Sequence, residues 1–290
     1  MKKISVIGAD GQLGTDLVQV FSQAHDVASL TIQDIHIENI DEVRDVLSGI
    51  KPDVILNTAA YHRVPDCESH QSLAFQVNAI GAQNVAKVAQ DLGAVNVYYS
   101  TDYVFDGMKG SPYLETDTPN PQSVYAISKL AGEYFTRHYC DKHFVARVSG
   151  IYGKVPSLIK GSNFVTTMLR LAKEKSEVRV VDDEVLTPTP TEEIALNSVD
   201  LIRIDHYGIY HMTSEGACSW YEFASTIWST LELKTPLYPA KVADFPMVVK
   251  RPTYSVLENA NLKKLGINRM SDWKDGLIRF LKQNYLEGGS

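Results

Sequence analysis

Apolar residues along this chain follow two rhythms. Short runs rich in Val and Ile fall at Ile4–Ile7, Val27–Leu30, Val54–Asn57, Val97–Ser100 and Phe144–Val148. Between them, at Gln12–Gln23, Ile40–Leu47, Leu73–Leu92 and Ser123–Tyr139, apolar positions recur every three or four residues. A short continuous apolar run suits a strand covered on both faces, and the longer period suits a helix with one apolar stripe. Pro52-Asp53 ahead of VILN stops one helix and starts the next strand. The alternation predicts right-handed βαβ units: an α/β, Rossmann-type doubly wound parallel sheet with helices on both faces.

Past about residue 150 the alternation loosens. A helix is expected at Phe164–Glu174 and a strand at Val178–Val181, followed by the turn-rich TPTPTEE. In that stretch Thr191, Glu192 and Glu193 resemble a helix start. A strand at Gly208–Met212 and helices at Tyr221–Leu231 and Trp273–Gln283 complete the pattern. The division expected is a Rossmann domain over 1–150, to which later segments return, and a smaller mixed α/β substrate lobe over 151–285. Such a lobe would sit over the carboxyl edge of the sheet, where open α/β folds bind ligands. Residues 286–290, LEGGS, are read as a cloning remnant and set aside.

Composition narrows the function classes. The 290 residues carry a net charge of −7 with no long basic cluster, which argues against nucleic-acid or membrane partners. No run approaches a bilayer span, and Lys2-Lys3 lead straight into a strand rather than a signal peptide. Cys67, Cys140 and Cys218 have no metal-like spacing and read as free thiols, pointing to a cytoplasmic protein.

The first strand ends in GADGQLG, with Gly8, Gly11 and Gly14 at the first strand–helix junction. Residues lacking Cβ let the backbone approach a pyrophosphate, and the next helix offers unpaired N–H groups. No Gly-Lys-Ser/Thr follows, so a Walker loop is excluded in favour of a dinucleotide cradle. An acid at the end of the second strand would favour NAD, but Thr31 stands there. Asp34 and His36 either line the adenine pocket or stand in solvent. The cofactor expected is NADPH or NADH, with a slight lean to NADPH.

YAISK sets Tyr125 and Lys129 one helical turn apart, shortly after STDYVF at the end of the fourth strand. A phenol is a poor acid–base group at neutral pH unless a nearby ammonium favours its anion. Lys129 would supply that charge and bind the cofactor ribose. Tyr125 would protonate a carbonyl oxygen as hydride arrives, and Thr101 would orient and polarise that oxygen.

These residues resemble the extended short-chain dehydrogenase/reductase superfamily and, within it, the dTDP-4-dehydrorhamnose reductase family. Matching stretches include PDVILNTAAY, VNAIGAQNVA, STDYVFDG, PYLETDTPNPQSVYAISKLAGE, NFVTTMLRLAKE, TPTPTEEIA and RPTYSVL, in family order along nearly the whole chain. The resemblance implies that Gly8, Gly11, Gln12, Leu13 and Gly14 hold the pyrophosphate, with Ala59, Ala60 and Tyr61 by the adenosine. It implies that Asp102, Tyr103 and Phe105 face the sugar and that Asn163 and Arg251 lie near the substrate diphosphate. Related sugar-nucleotide dehydratases carry Thr-Asp-Glu, whereas Tyr103 stands here in the place of that glutamate.

Some positions depart from the pattern. Tyr61-His62-Arg63 follow the paired alanines where a Thr is usual, and Gly150 stands where many of these reductases have a tryptophan near the sugar. His62 and Arg63 are either new substrate contacts or loop surface. Trp220, Tyr221 and Phe223 in CSWYEF read as core packing. Asp16 and Glu193 match two acids of a metal-bridged dimer, but Gln283 replaces a third, so no metal site is expected. The reaction implied is NAD(P)H-dependent reduction of the 4-keto group of dTDP-4-dehydro-L-rhamnose; the sequence leaves the oligomeric state open, a homodimer being the assembly considered. Two rivals stand beside it: a reductase or epimerase for another nucleotide-linked 4-keto-6-deoxy sugar, and a non-catalytic regulatory protein similar to the beta subunit of methionine adenosyltransferase.

Overall fold

The computed structural model describes residues 1–155, 161–246 and 249–286. The strands β1 (Lys3–Ile7), β2 (Asp26–Leu30), β3 (Val54–Asn57), β4 (Val95–Thr101) and β5 (His143–Val148) pair in parallel, with the Gly208–His211 strand beside β5. The six-stranded order is Gly208–His211, β5, β4, β3, β1, β2. Order reverses at β1, and that switch point opens a crevice beyond its carboxyl end. Ile4, Val6, Val54, Leu56, Val97, Phe144 and Ala146 are buried on one face of the sheet. Ile7, Leu30 and Ile55 are buried on the other.

Chain position and space part company in the second half. The Gly208–His211 strand is an edge of the main sheet, and the Thr191–Leu201 helix packs with the Gln12–Phe21 helix against the same core. The other late elements build a separate core of Tyr152, Val165, Met168, Phe223, Trp228, Trp273 and Phe280. Phe223 is fully buried and the half-buried Trp220 stacks on Phe164 at 4.5 Å. Ser219 caps their helix by accepting the Glu222 N–H while the Glu222 carboxylate accepts the Ser219 N–H. Of the tail set aside, Leu286 closes a π turn and residues 287–290 lie outside the described residues.

The predicted Leu73–Leu92 helix is interrupted. A π turn at Gln76–Gly81 joins Gln71–Phe75 to Ala82–Leu92. That turn presents Asn78 toward the Val124–Tyr139 helix, which approaches closely at Gly132: a Cβ there would lie 2.3 Å from the Asn78 carbonyl oxygen and 2.4 Å from the Tyr98 hydroxyl.

Candidate active site

The carboxyl ends of β1, β2 and β3 meet at the glycine loop. Gly8 takes φ +78°, and a Cβ on Gly14 would stand 2.0 Å from the Gly8 carbonyl oxygen, so the loop closes only without side chains. Gly8 and Ala9 N–H donate to the Leu30 carbonyl at 2.8 and 3.1 Å, and the Thr58 hydroxyl donates to the Ile7 carbonyl at 2.8 Å. The Gln12–Phe21 helix begins at Gly11 with no side-chain cap, leaving its first N–H groups for an anion. These residues fit a dinucleotide pyrophosphate. The Leu13 side chain lies in the core, so only its backbone faces that way. Ala59, Ala60 and Tyr61 are half-buried along the loop after β3.

At the end of β4, the buried Thr101 hydroxyl donates to the Asp102 carboxylate at 3.1 Å and accepts the Tyr103 N–H at 3.2 Å. The Tyr125 phenol lies near enough to feel this hydroxyl, which lowers its pKa. The half-buried Tyr125 ring stands edge-on to Tyr103, with centroids 6.2 Å apart. Ser123 caps the Val124–Tyr139 helix that carries Tyr125 and Lys129.

Burial shifts both of these groups. It raises the Tyr125 phenol above its ordinary value, opposed only by the Thr101 hydroxyl. Lys129 is buried, donates to the Tyr99 carbonyl at 2.7 Å and lies 4.0 Å from the centre of the Tyr98 ring. Burial pulls its ammonium down to about 7 against the pull of Glu133. A lysine whose folded-state value is depressed lends stability above its unfolded value of 10.5, and that stability is lost as pH falls through about 7. Lys129→Met is therefore expected to raise the urea midpoint over wild type at about pH 6, and by much less near pH 10. A difference that does not depend on pH contradicts this.

Two residues of the expected sugar face are structural. Phe105 is wholly buried, stacked on Tyr113 at 4.2 Å and 5.1 Å from the Arg147 guanidinium, so its ring has no surface for a sugar. Asp102 is buried and receives the Ser149 hydroxyl at 2.8 Å besides Thr101 and Ser255; burial pushes its carboxyl up to about 6. It holds Thr101 rather than a ligand. Asn163 is likewise engaged: it caps the Phe164–Glu174 helix and donates to Gln12 Oε1 at 3.1 Å and the Gly153 carbonyl at 2.9 Å. Its amide thereby ties the glycine loop, through Gln12, to the second lobe.

Arg251 is exposed, its charge felt by Tyr103 and Glu184. Glu184, which the sequence reading missed, is a buried carboxylate bonded by Trp220, and burial raises it. His36 is exposed and pairs with Glu42 at 2.9 Å, while Thr31 bonds Asp34. Arg63 is exposed and pairs with Asp66 at 3.4 Å. Asp16 takes the Thr191 hydroxyl, and Glu193 takes Arg279 and Ser271. Among the described residues no three His, Cys, Asp or Glu side chains gather as a metal site, and no helix is long and apolar enough to cross a membrane.

Asn78 is a second omission. Its side chain accepts the Tyr61 N–H at 2.8 Å and donates to the Tyr61 carbonyl and the Ser128 hydroxyl, both at 2.9 Å. It ties the loop after β3 to the helix bearing Tyr125. A polar residue within an otherwise apolar helical stripe was the available signal.

Gly150 takes φ +52°, and a Cβ there would lie 2.7 Å from Leu186 Cδ1 and 3.1 Å from Pro188 Cα. The backbone at this point admits no ring.

Comparison with known proteins places the chain among relatives. The model of the RmlD substrate binding domain matches residues 1–286. The spore coat polysaccharide biosynthesis protein SpsK of Bacillus subtilis is 37% identical over 98% of both chains. The dTDP-4-dehydrorhamnose reductase of Escherichia coli K12 is 33% identical over 97% of both. The crystal structure of dTDP-4-dehydrorhamnose reductase from Bacillus anthracis, in complex with NADP, superposes with a TM-score of 0.93 at 38% identity, covering 97% of this chain and 99% of the other.

Proposed function

The chain belongs to the RmlD substrate binding domain family of NAD(P)-dependent nucleotide-sugar reductases, and from that premise we propose that it reduces the 4-keto group of dTDP-4-dehydro-L-rhamnose to give dTDP-L-rhamnose. The observation that carries the reading is the placing of Thr101 and Tyr125, whose phenol is within the influence of the Thr101 hydroxyl, on the same sheet edge as the glycine loop.

Gly8, Gly11 and Gly14 would hold the pyrophosphate of a nicotinamide dinucleotide, which supplies a hydride when bound. Tyr125, as a phenol, keeps its proton at neutral pH, and burial favours that neutral form further, so it is the group with a proton to give. It delivers that proton to the carbonyl oxygen, leaving an alcohol on the sugar and a phenolate on the enzyme. Thr101, held by Asp102 and the Tyr103 N–H, fixes the phenol's direction. Lys129, one turn along the helix, is assigned to the cofactor ribose. Arg251 is assigned to the substrate diphosphate, for which a guanidinium fork gives paired charge-assisted bonds.

A second reading is favoured by Gly150 and Leu186, because a position that many such reductases fill with tryptophan beside the sugar is closed here. The substrate is then another nucleotide-linked 4-keto-6-deoxy sugar. Purified protein, either dinucleotide and a panel of such ketosugars, followed by product analysis, decides between them. Oxidation of the cofactor with dTDP-4-dehydro-L-rhamnose, and formation of dTDP-L-rhamnose, is the expected result. Turnover confined to a different nucleotide sugar selects the second reading, and turnover of none rejects both.

A further inference from the structure

The carboxyl end of β2 carries Thr31 where a dinucleotide-binding fold that selects NAD would carry an acid. The structure brings an acid to that place by another route. Just beyond Thr31 the chain turns, with the Asp34 N–H returning to the Thr31 carbonyl at 3.0 Å. The Asp34 carboxylate folds back onto the strand end: its Oδ2 accepts both the Thr31 N–H and the Thr31 hydroxyl, each at 2.8 Å. Its Oδ1 accepts no hydrogen bond among the described residues, and the side chain is exposed. Leu30, immediately before Thr31, is the residue whose carbonyl receives Gly8 and Ala9, so the carboxylate sits one residue from the anchor of the glycine loop.

The surroundings carry the same sign. From Thr31 to Asp45 the chain has Asp34, Glu38, Asp41, Glu42 and Asp45 and one Lys or Arg, Arg44, which pairs with Asp41 at 3.2 Å. His36, the remaining cationic candidate in that segment, is engaged by Glu42. Arg63, on the loop after β3, is paired with Asp66. No free guanidinium or ammonium in these two segments stands ready for a ribose phosphate.

Resting on the reading above that the glycine loop holds a nicotinamide dinucleotide, we infer that Asp34, positioned by Thr31, is the cofactor-specificity residue and that it selects NADH over NADPH. One carboxylate oxygen is tied down and the other is left to accept from a ribose 2′-hydroxyl. A 2′-phosphate in the same place meets like charge without a compensating cation. This reverses the lean toward NADPH that Thr31 alone suggests.

Direct binding tests it without turnover. NADH and NADPH are each titrated into the full chain, with no sugar nucleotide, by their fluorescence on binding. The wild-type protein is expected to hold NADH about tenfold or more tightly than NADPH, a preference that shrinks as salt is added. Asp34→Asn keeps an oxygen acceptor for Thr31 but removes the charge, and is expected to cut the preference by about fivefold or more, mainly by tightening NADPH. Thr31→Val, which retains only the backbone hold, is expected to move the ratio the same way by less. Circular dichroism confirms that each variant is folded. Equal affinities in the wild type, a preference for NADPH, or an unchanged ratio in a folded Asp34→Asn overturns the assignment while leaving the dinucleotide reading intact. Binding of neither dinucleotide overturns both.

Discussion

Tyr125→Phe is expected to lower kcat about 10²–10⁴-fold while leaving the Kd for the preferred dinucleotide within about twofold of wild type. The variant removes one hydroxyl and nothing else. Its ring still packs edge-on to Tyr103, and its helix is still capped by Ser123. The proton that must reach the carbonyl oxygen then has no donor at that position. Thr101 is no substitute, because its hydrogen is directed to Asp102. Because the ring is half-buried and its contacts survive, the unfolding free energy should change by no more than about 1 kcal/mol. Steady-state rates, dinucleotide titration and urea unfolding on the same preparation separate the three quantities. A variant retaining more than about a fifth of wild-type turnover would falsify the assignment of Tyr125 as the acid.

The second large effect lies behind the site. Glu133, four residues beyond Lys129 on its helix, and Arg147 on β5 form an ion pair at 2.6 Å, with both side chains at most 2% exposed. Arg147 Nε adds a bond at 2.9 Å, and the Ser100 hydroxyl donates to the same carboxylate at 2.5 Å. The guanidinium also faces the Phe105 ring and His211, whose imidazole is driven down to about 3 by burial and by this charge. Glu133→Gln leaves the guanidinium buried without its counter-charge. Such breaks cost about 3–5 kcal/mol, a large share of the roughly 5–15 kcal/mol that holds a domain together. The expected result is a sharply lower urea midpoint at unchanged m-value, with most of the loss recovered when Arg147→Met is combined with Glu133→Leu. A single variant losing under about 1 kcal/mol, or a double variant no better than the single, contradicts the pairing account.

The elements that could be read from the chain were those governed by local periodicity. β1, β3 and the Phe164–Glu174 helix lie within a residue of their expected bounds, because each is a run of one rhythm between clear breakers. The π turn at Gln76–Gly81 was not legible, because one extra residue in a helix barely disturbs its apolar stripe. A return of later segments to the first domain was expected, but that Gly208–His211 is the strand that does so was not, because it depends on pairing with β5 some sixty residues earlier in the chain. In the site, glycine spacing and Y-x-x-x-K could be found because backbone sterics and helical geometry tie them to sequence. Burial could not, and burial decides the rest. It makes Phe105 core, turns Asp102 into the anchor of Thr101, and puts the Lys129 ammonium on the Tyr99 carbonyl. Thr31 shows the same limit from the other side. The residue at the strand end was read correctly, but the carboxylate delivered to it comes from three residues further on.

Gly150 also constrains how this pocket can change. Its left-handed backbone and the close approach of Leu186 make the two positions interdependent, so a bulky ring at 150 demands both a different backbone there and a smaller residue at 186. Taken first, the change at 150 drives a side chain into Leu186 and Pro188; taken first, the change at 186 leaves a void. Either intermediate is less stable than the endpoints. A library that varies 150 and 186 together relieves the Leu186 contact but leaves the left-handed backbone and Pro188 to be accommodated, so larger residues at 150 are expected only with a rebuilt 186–188 segment.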